Sequence, residues 1–207
     1  MATRKSSAKP KVLLVGASGT LGRAVYKQLS ARHQVIAASR KGKLKLDITD
    51  SASMRRLFDQ IGTVDAIACA AGSVHFGALA EMTEEKFAIG LRDKLMGQVN
   101  LVLIGRDYAN DNGSFTLTSG VLSHDPIRFG ACASLVNGAL DCFVRAAAIE
   151  LPRGLRINVI SPGLLDESAV ALGDYFRGHE TVPGKRVANA YVKSVEGRLT
   201  GQVLHVL

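Results

Sequence analysis

Along this 207-residue chain, short apolar runs alternate with longer stretches of helical spacing. Val12-Leu13-Leu14-Val15 is uninterrupted, as a strand covered on both faces requires, and predicts a strand at 12–16. A helical pattern follows at 20–32, then a strand at 34–39, a short strand at 43–47 and a helix at 51–61. A strand at 65–71 leads to a long helix capped by Thr83, with Glu84 and Glu85 in its first turn, running to about 109. Gly113 opens the strand Ser-Phe-Thr-Leu-Thr-Ser, followed by a helix at 130–151 and a strand at 156–160 broken by Pro162-Gly163. Helical stretches near 166–177 and 184–196 precede a last strand at 202–206. This alternation predicts an α/β fold: one doubly wound domain with a parallel sheet of about seven strands and helices on both faces. No internal repeat, linker or second domain interrupts it.

Composition adds limits. At 47% hydrophobic residues the chain is globular, with room for a sizeable core. No apolar run approaches membrane-spanning length and no signal-peptide core follows the start, so no membrane partner is expected. Cys69, Cys132 and Cys142 are an odd set without metal-ligand spacing, read as buried thiols of a reducing, cytoplasmic compartment, with no metal site. Charge is uneven. Residues 1–46 carry eleven Lys or Arg and no Asp or Glu, whereas the remainder carries 15 basic and 18 acidic residues. Four of the basic residues (Arg4, Lys5, Lys9, Lys11) lie in or beside a short Ser/Ala/Lys-rich leader, 1–10, expected to be disordered. The other seven surround a candidate phosphate site, where a positive field attracts a polyanion. A nucleic-acid partner is the less favoured reading of the same charge.

That site is Gly16-Ala17-Ser18-Gly19-Thr20-Leu21-Gly22, between the first strand and the first helix. A first glycine makes the tight turn, a second admits a pyrophosphate to the backbone, and a third lets helix and strand pack closely. The helix N-terminus then aims free N–H groups at the anion.

Together with Asp47-Ile48, Ala70-Ala71-Gly72, Leu117-Thr118-Ser119-Gly120, Ile149-Glu150-Leu151, the stretch Arg-Ile-Asn-Val-Ile-Ser-Pro-Gly at 156–163, and Thr200-Gly201-Gln202-Val203, this motif resembles the short-chain dehydrogenase/reductase family over nearly the whole chain. The glycine spacing is that of the family's atypical and extended members. The resemblance implies a Rossmann-type fold and a dinucleotide cofactor. It places Asp47 and Ile48 at the adenine pocket, Ala70, Ala71 and Gly72 behind the nicotinamide ribose, and Pro162-Gly163 under the nicotinamide. Where NAD-selective proteins put a carboxylate on the ribose 2′-hydroxyl, this chain has Ser39-Arg40-Lys41. An arginine fork grips a 2′-phosphate that a carboxylate would repel, so NADP(H) is the expected cofactor.

The catalytic positions depart from the family. Its serine matches Ser119, but its Tyr-x-x-x-Lys pair falls on Ala133 and Asn137, and its helix asparagine is replaced by Lys94. Two readings stay open. In one, catalysis is rebuilt: Lys94 points into the same cleft, Asn137 orients it, and His75 or His124 on neighbouring loops titrates near working pH. The protein is then an oxidoreductase reducing a small carbonyl or quinone-like acceptor. In the other, the pocket binds NADP without chemistry, as a redox sensor or scaffold.

A short lid at about 164–198 carries Leu164, Leu165, Val170, Leu172, Tyr175 and Phe176, which suggests an apolar or aromatic substrate. By resemblance, the helices at 84–109 and 130–151 form a homodimer or tetramer contact.

Overall fold

Val12, Leu13 and Leu14 have no exposed surface, because the strand that carries them lies mid-sheet with helices above and below. The computed structural model describes residues 8–207. Most of the expected disordered leader therefore lies outside the described residues. Within them, the Pro10 carbonyl accepts from the Gln34 N–H at 2.9 Å and the Lys9 ammonium donates to Ala31 O at 3.2 Å.

The chain runs β1 (Lys11–Val15), α1 (Thr20–Leu29), β2 (Gln34–Ser39), β3 (Leu44–Lys45), α2 (Ser51–Ile61), β4 (Val64–Cys69), α3 (Glu84–Gly90), α4 (Gly97–Gly105), β5 (Ala109–Thr118), α5 (Ala131–Glu150), β6 (Arg156–Pro162), β7 (Leu164–Leu165), α6 (Ala169–Leu172), β8 (Thr181–Val182), α7 (Gly184–Glu196) and β9 (Val203–Val206). Seven strands pair in parallel in the order β3-β2-β1-β4-β5-β6-β9, the doubly wound α/β sheet. One face packs Val12, Leu14, Ala66 and Ala68 against Val25 and Leu29 of α1 and Val187 and Tyr191 of α7. The other packs Leu13, Ile67, Phe115 and Ile157 against Phe58 of α2, Leu101 of α4 and Val136 and Leu140 of α5. Strand order reverses between β1 and β4, which puts the switch-point crevice at their carboxyl ends.

Five features differ from the sequence expectation. The single helix expected at 84–109 ends at Gly105 and is interrupted by a π-helical turn, Leu91–Met96. β5 starts at Ala109 rather than Gly113. Asn110-Asp111-Asn112-Gly113 reads as a turn, and it does form a bulged opening, with Asn112 at φ 62° and a register shift against β4. The helix expected at 166–177 is one turn of α-helix, α6, flanked by 3-10 turns, Asp166–Ser168 and Gly173–Tyr175. The chain ahead of and behind these turns pairs as a small second sheet, β7 with β8, that the sequence pattern did not disclose. Finally, α5 is long and apolar enough to cross a membrane by length and composition, a run the sequence reading had not counted. Here its Cys132, Val136, Leu140 and Val144 are packed into the core.

Candidate functional site

The turn after β1 leaves the N-terminus of α1 open. No side chain caps it, and no acidic residue lies in its first turn. The positive end of the helix therefore stays available to an anion. Close approach explains the last glycine of the motif: a Cβ on Gly22 would run into the Gly16 carbonyl. Gly22 thus sets the packing of the turn, and neither it nor Thr20 nor Leu21 lines the cleft.

The cleft itself encloses 520 Å³. Its floor is Gly16, Ser18 and Gly19. Ser39, Arg40 and Lys41 line one end, with Asp47 and Ile48 beside Leu46, and Ala70, Ala71 and Gly72 the other. Arg40 is exposed and forms no salt bridge among the described residues. Asp47 is turned inward on its own loop, accepting from the Thr49 N–H at 2.9 Å and the Thr49 hydroxyl at 2.8 Å. Those two bonds hold its carboxyl below the ordinary range, with a smaller contribution from Arg40. Four lining residues were not among the expected site residues: the apolar Val15 and Leu46, and the polar Ser73 and Asp93. Asp93 Oδ1 accepts from the Ser73 N–H at 3.0 Å, joining the loop after β4 to the π turn. No motif marks Asp93; only the π-helical geometry turns it to the cleft.

Gln98 opens the crevice between β4 and β5. Pairing of β4 with β5 ends at Ala68 and Thr116. Beyond that point the buried Gln98 carboxamide takes over, donating to Thr118 O and accepting from the Thr118 N–H, both at 2.8 Å. The Thr118 hydroxyl turns to Cys69 O and to the hydroxyl of Tyr191, a fully buried ring on α7. The end of β5, and Ser119 after it, is thereby fixed from both faces of the sheet.

At this end the structure brings Lys94, Asn137 and Ser119 together. The Lys94 stem crosses Gly72, where a Cβ would come within 2.6 Å of Lys94 Cγ and where φ is 142°. Its ammonium donates to Ser119 O at 2.8 Å and to Asn137 Oδ1 at 2.7 Å. Enclosure of the charge pushes the Lys94 pKa down to about 8, against the opposing pull of the Asp141 carboxylate. Ser119 is buried, and its hydroxyl has no hydrogen-bond partner among the described residues. Asn137 projects from α5 toward Gly120, where a Cβ would crowd its Nδ2 at 2.9 Å.

Other expected residues lie elsewhere. His124 is exposed, and its ring meets that of His205 on β9 with centroids 4.4 Å apart, so it does not join the Lys94 cluster. His75 is half-buried on the loop after β4, against Gly77. Pro162 ends β6 opposite Val206, and the Gly163 N–H donates to Val206 O at 2.9 Å; neither lines the cleft. Ala133 is buried with Val121, Leu122, Leu164 and Phe176, so residues of the expected lid pack over it. Leu172 borders that cluster, Leu165 packs toward α7, and Val170 and Tyr175 face outward. Of the three free cysteines, Cys69 and Cys132 are buried and Cys142 is exposed, against the expectation of three buried thiols.

Comparison with known proteins agrees with this architecture. The family model described as enoyl-(acyl carrier protein) reductase matches residues 2–194. The protein lin1944 from Listeria innocua shares 48% sequence identity and superposes with a TM-score of 0.94, covering 96% of this chain and 100% of that one. A small-chain dehydrogenase solved in complex with NADPH is 28% identical with a TM-score of 0.85, covering 96% of each chain. Versicolorin reductase 1 of Dothistroma septosporum is 26% identical over 174 residues, 80% of this chain and 66% of that protein. A short chain dehydrogenase/reductase of Aspergillus aculeatus, AacuN, is 29% identical over 126 residues, 58% of this chain and 48% of its own length. The chain thus spans about half to two thirds of these two curated relatives. It belongs to the short-chain dehydrogenase/reductase family of oxidoreductases.

Proposed function

We propose that this protein is an NADP(H)-dependent reductase of small carbonyl or quinone-like compounds in which Lys94 has taken over proton donation. The observation that carries the reading is the placement of the Lys94 ammonium beside Asn137, at the α5 position where the family's lysine is expected.

The cleft residues fit a dinucleotide phosphate. The uncapped α1 N-terminus and the Gly16–Gly22 contact leave backbone amides free for a pyrophosphate. Arg40 and Lys41 supply unpaired positive charge where a 2′-phosphate would lie, and the nearby Asp47 carboxylate is already engaged by Thr49. When bound, NADPH supplies the hydride. Asp93, with one oxygen on Ser73, would offer its other carboxylate oxygen to a hydroxyl of the bound cofactor. The unspent Ser119 hydroxyl donates to the substrate oxygen. Lys94, held by two acceptors and easily deprotonated for a lysine, delivers the proton. Access requires the lid to lift from the Ala133–Phe176 cluster, whose apolar surface favours an apolar or aromatic substrate. His124 is assigned no part in this step.

A second reading, an NADP-binding redox sensor or scaffold, is favoured by that same cluster, because it packs lid residues over Ala133, where the resemblance places the family's tyrosine. Fluorescence titration with NADPH and NADH, followed by a panel of aldehydes, ketones and quinones, separates the two. Tight NADPH binding with consumption by any acceptor supports the reductase. Tight binding with no consumption across the panel favours the sensor.

A further inference from the structure

Away from the dinucleotide cleft, a groove of 510 Å³ lies between the loop ahead of α5 and the lid. Residues 126–129 of that loop form one wall, and Tyr175, Arg177 and His179 of the lid line the other. The groove shares no residue with the cleft and includes none of Lys94, Ser119 and Asn137.

Two aromatic rings meet across it. Phe129 and Tyr175 stand nearly perpendicular, at 81° with centroids 6.3 Å apart, and Phe76 backs Tyr175 at 5.8 Å. Phe129 is held at φ 69°, in the left-handed region that a bulky side chain rarely adopts. The Gly77 N–H donates to the Phe129 carbonyl at 3.0 Å and ties this residue to the loop after β4. Glycine would take that φ freely, so the ring stands here against the preference of its own backbone, and such strain points to a use for it.

Polar groups in the same groove are unspent. Arg128 is exposed and makes no hydrogen bond or salt bridge among the described residues; its guanidinium lies 4.7 Å from the centre of the Phe129 ring. The Tyr175 hydroxyl has no hydrogen-bond partner among the described residues either. Arg177 has Asp174 at 3.8 Å, with both side chains in solvent, where such a pair contributes little. His179 faces Asp125 at 3.4 Å, and its ring meets that of Phe176 in the lid cluster.

An arginine fork beside aromatic rings suits a planar anion on an aromatic body: the guanidinium pairs with both carboxylate oxygens, and the rings cover the apolar part. The nearby acids limit the charge. Asp174 lines the groove and Asp125 flanks His179, so a polyphosphate meets repulsion that a single carboxylate largely escapes. We propose that this groove is a second ligand site, for a small aromatic carboxylate lying against Phe129 and Tyr175 with its acid group on Arg128. One wall is the lid and the other leads into α5, so the occupant ties the lid to the body of the domain. The site is independent of the reductase reading.

The probe is 2-naphthoate, titrated without NADPH into the full ¹⁵N-labelled chain and followed by NMR. The wild type is expected to show saturable shifts at the amides of 127–129 and 174–179. 2-Naphthamide, which lacks the charge, and adenosine monophosphate, a dianion, should bind more weakly. Arg128→Gln should lose about tenfold or more in naphthoate affinity, on the scale of one charge-assisted hydrogen bond. Tyr175→Ala should lose affinity in the same direction, and Arg145→Gln, exposed on α5 outside the groove, should keep it. Amide exchange over 173–179 should slow at saturation. No saturable shift in the wild type, equal affinity for the amide, or unchanged affinity in Arg128→Gln overturns the site. Unchanged exchange over 173–179 in the saturated protein overturns the tie to the lid.

Discussion

The Lys94 ammonium lies 2.7 Å from Asn137 Oδ1, so a cation carried by the π turn meets the carboxamide of a residue on α5. The π-helical turn Leu91–Met96 makes this possible by widening the helix where Lys94 and Asp93 turn to the sheet edge. The same burial makes stability depend on pH. The unfolded chain keeps the Lys94 proton to about 10.5, whereas the folded protein releases it near 8. Between those values the unfolded state binds more protons, so the contribution of Lys94 to stability rises with pH. Cys69, pushed up to about 12 by burial, works the other way above its ordinary value of 9.0. Urea midpoints of wild type and Lys94→Met at pH 7.5 and 9.5 isolate the lysine. The wild type gains on the variant at the higher pH; a difference independent of pH would mean that the ammonium is not enclosed.

Gln98 replaces a missing strand partner. Gln98→Leu leaves the Thr118 N–H and carbonyl unpaired, at about 1–3 kcal/mol each by the usual cost of buried orphan groups. Denaturant unfolding should show a loss of several kcal/mol. A loss under about 1 kcal/mol would show that β5 holds its end without the carboxamide.

Arg40 and Lys41 line the cleft end opposite Gly72. Arg40→Ala should weaken NADPH binding by roughly tenfold or more, on the scale of one charge-assisted hydrogen bond, and leave NADH within a few-fold. Equal weakening of both in a fluorescence titration would remove Arg40 from 2′-phosphate recognition.

Leu103 on α4 and Leu135 and Ile149 on α5 stand 45%, 48% and 87% exposed. Between the two helices lies an apolar groove of 300 Å³ that includes Leu103 and Phe143. We propose that a second copy covers this face. Light scattering at micromolar concentration should give a dimer or tetramer mass for the wild type and a smaller species for Leu103→Glu. A wild-type monomer would refute the assignment.

Most of the sheet could be read from apolar runs such as Val12-Leu13-Leu14-Val15, because strands covered on both faces leave an uninterrupted signal. The glycine turn after β1 was legible because its glycines answer to local geometry. The π turn was not, since residues 84–105 keep helical spacing throughout and no local signal marks the widened turn that carries Lys94 over Gly72. Asp93 and Gln98 were silent for a similar reason: single polar residues acquire their roles only from contacts far along the chain. His124 looked like a site residue because its loop follows Ser119, yet the 3-10 turn at Val121–Ser123 carries it to the edge strand β9.

The central claim, that Lys94 is the proton donor, is met most directly by the pH dependence of NADPH oxidation with a reactive acceptor, in wild type and Lys94→Met. The account predicts a wild-type rate that falls as pH rises through about 8, where the ammonium is lost, and a variant slower by ~10²–10⁴ at neutral pH with NADPH affinity within a few-fold. A wild-type profile flat across pH 8, or a variant that turns over as fast as the wild type, would contradict it.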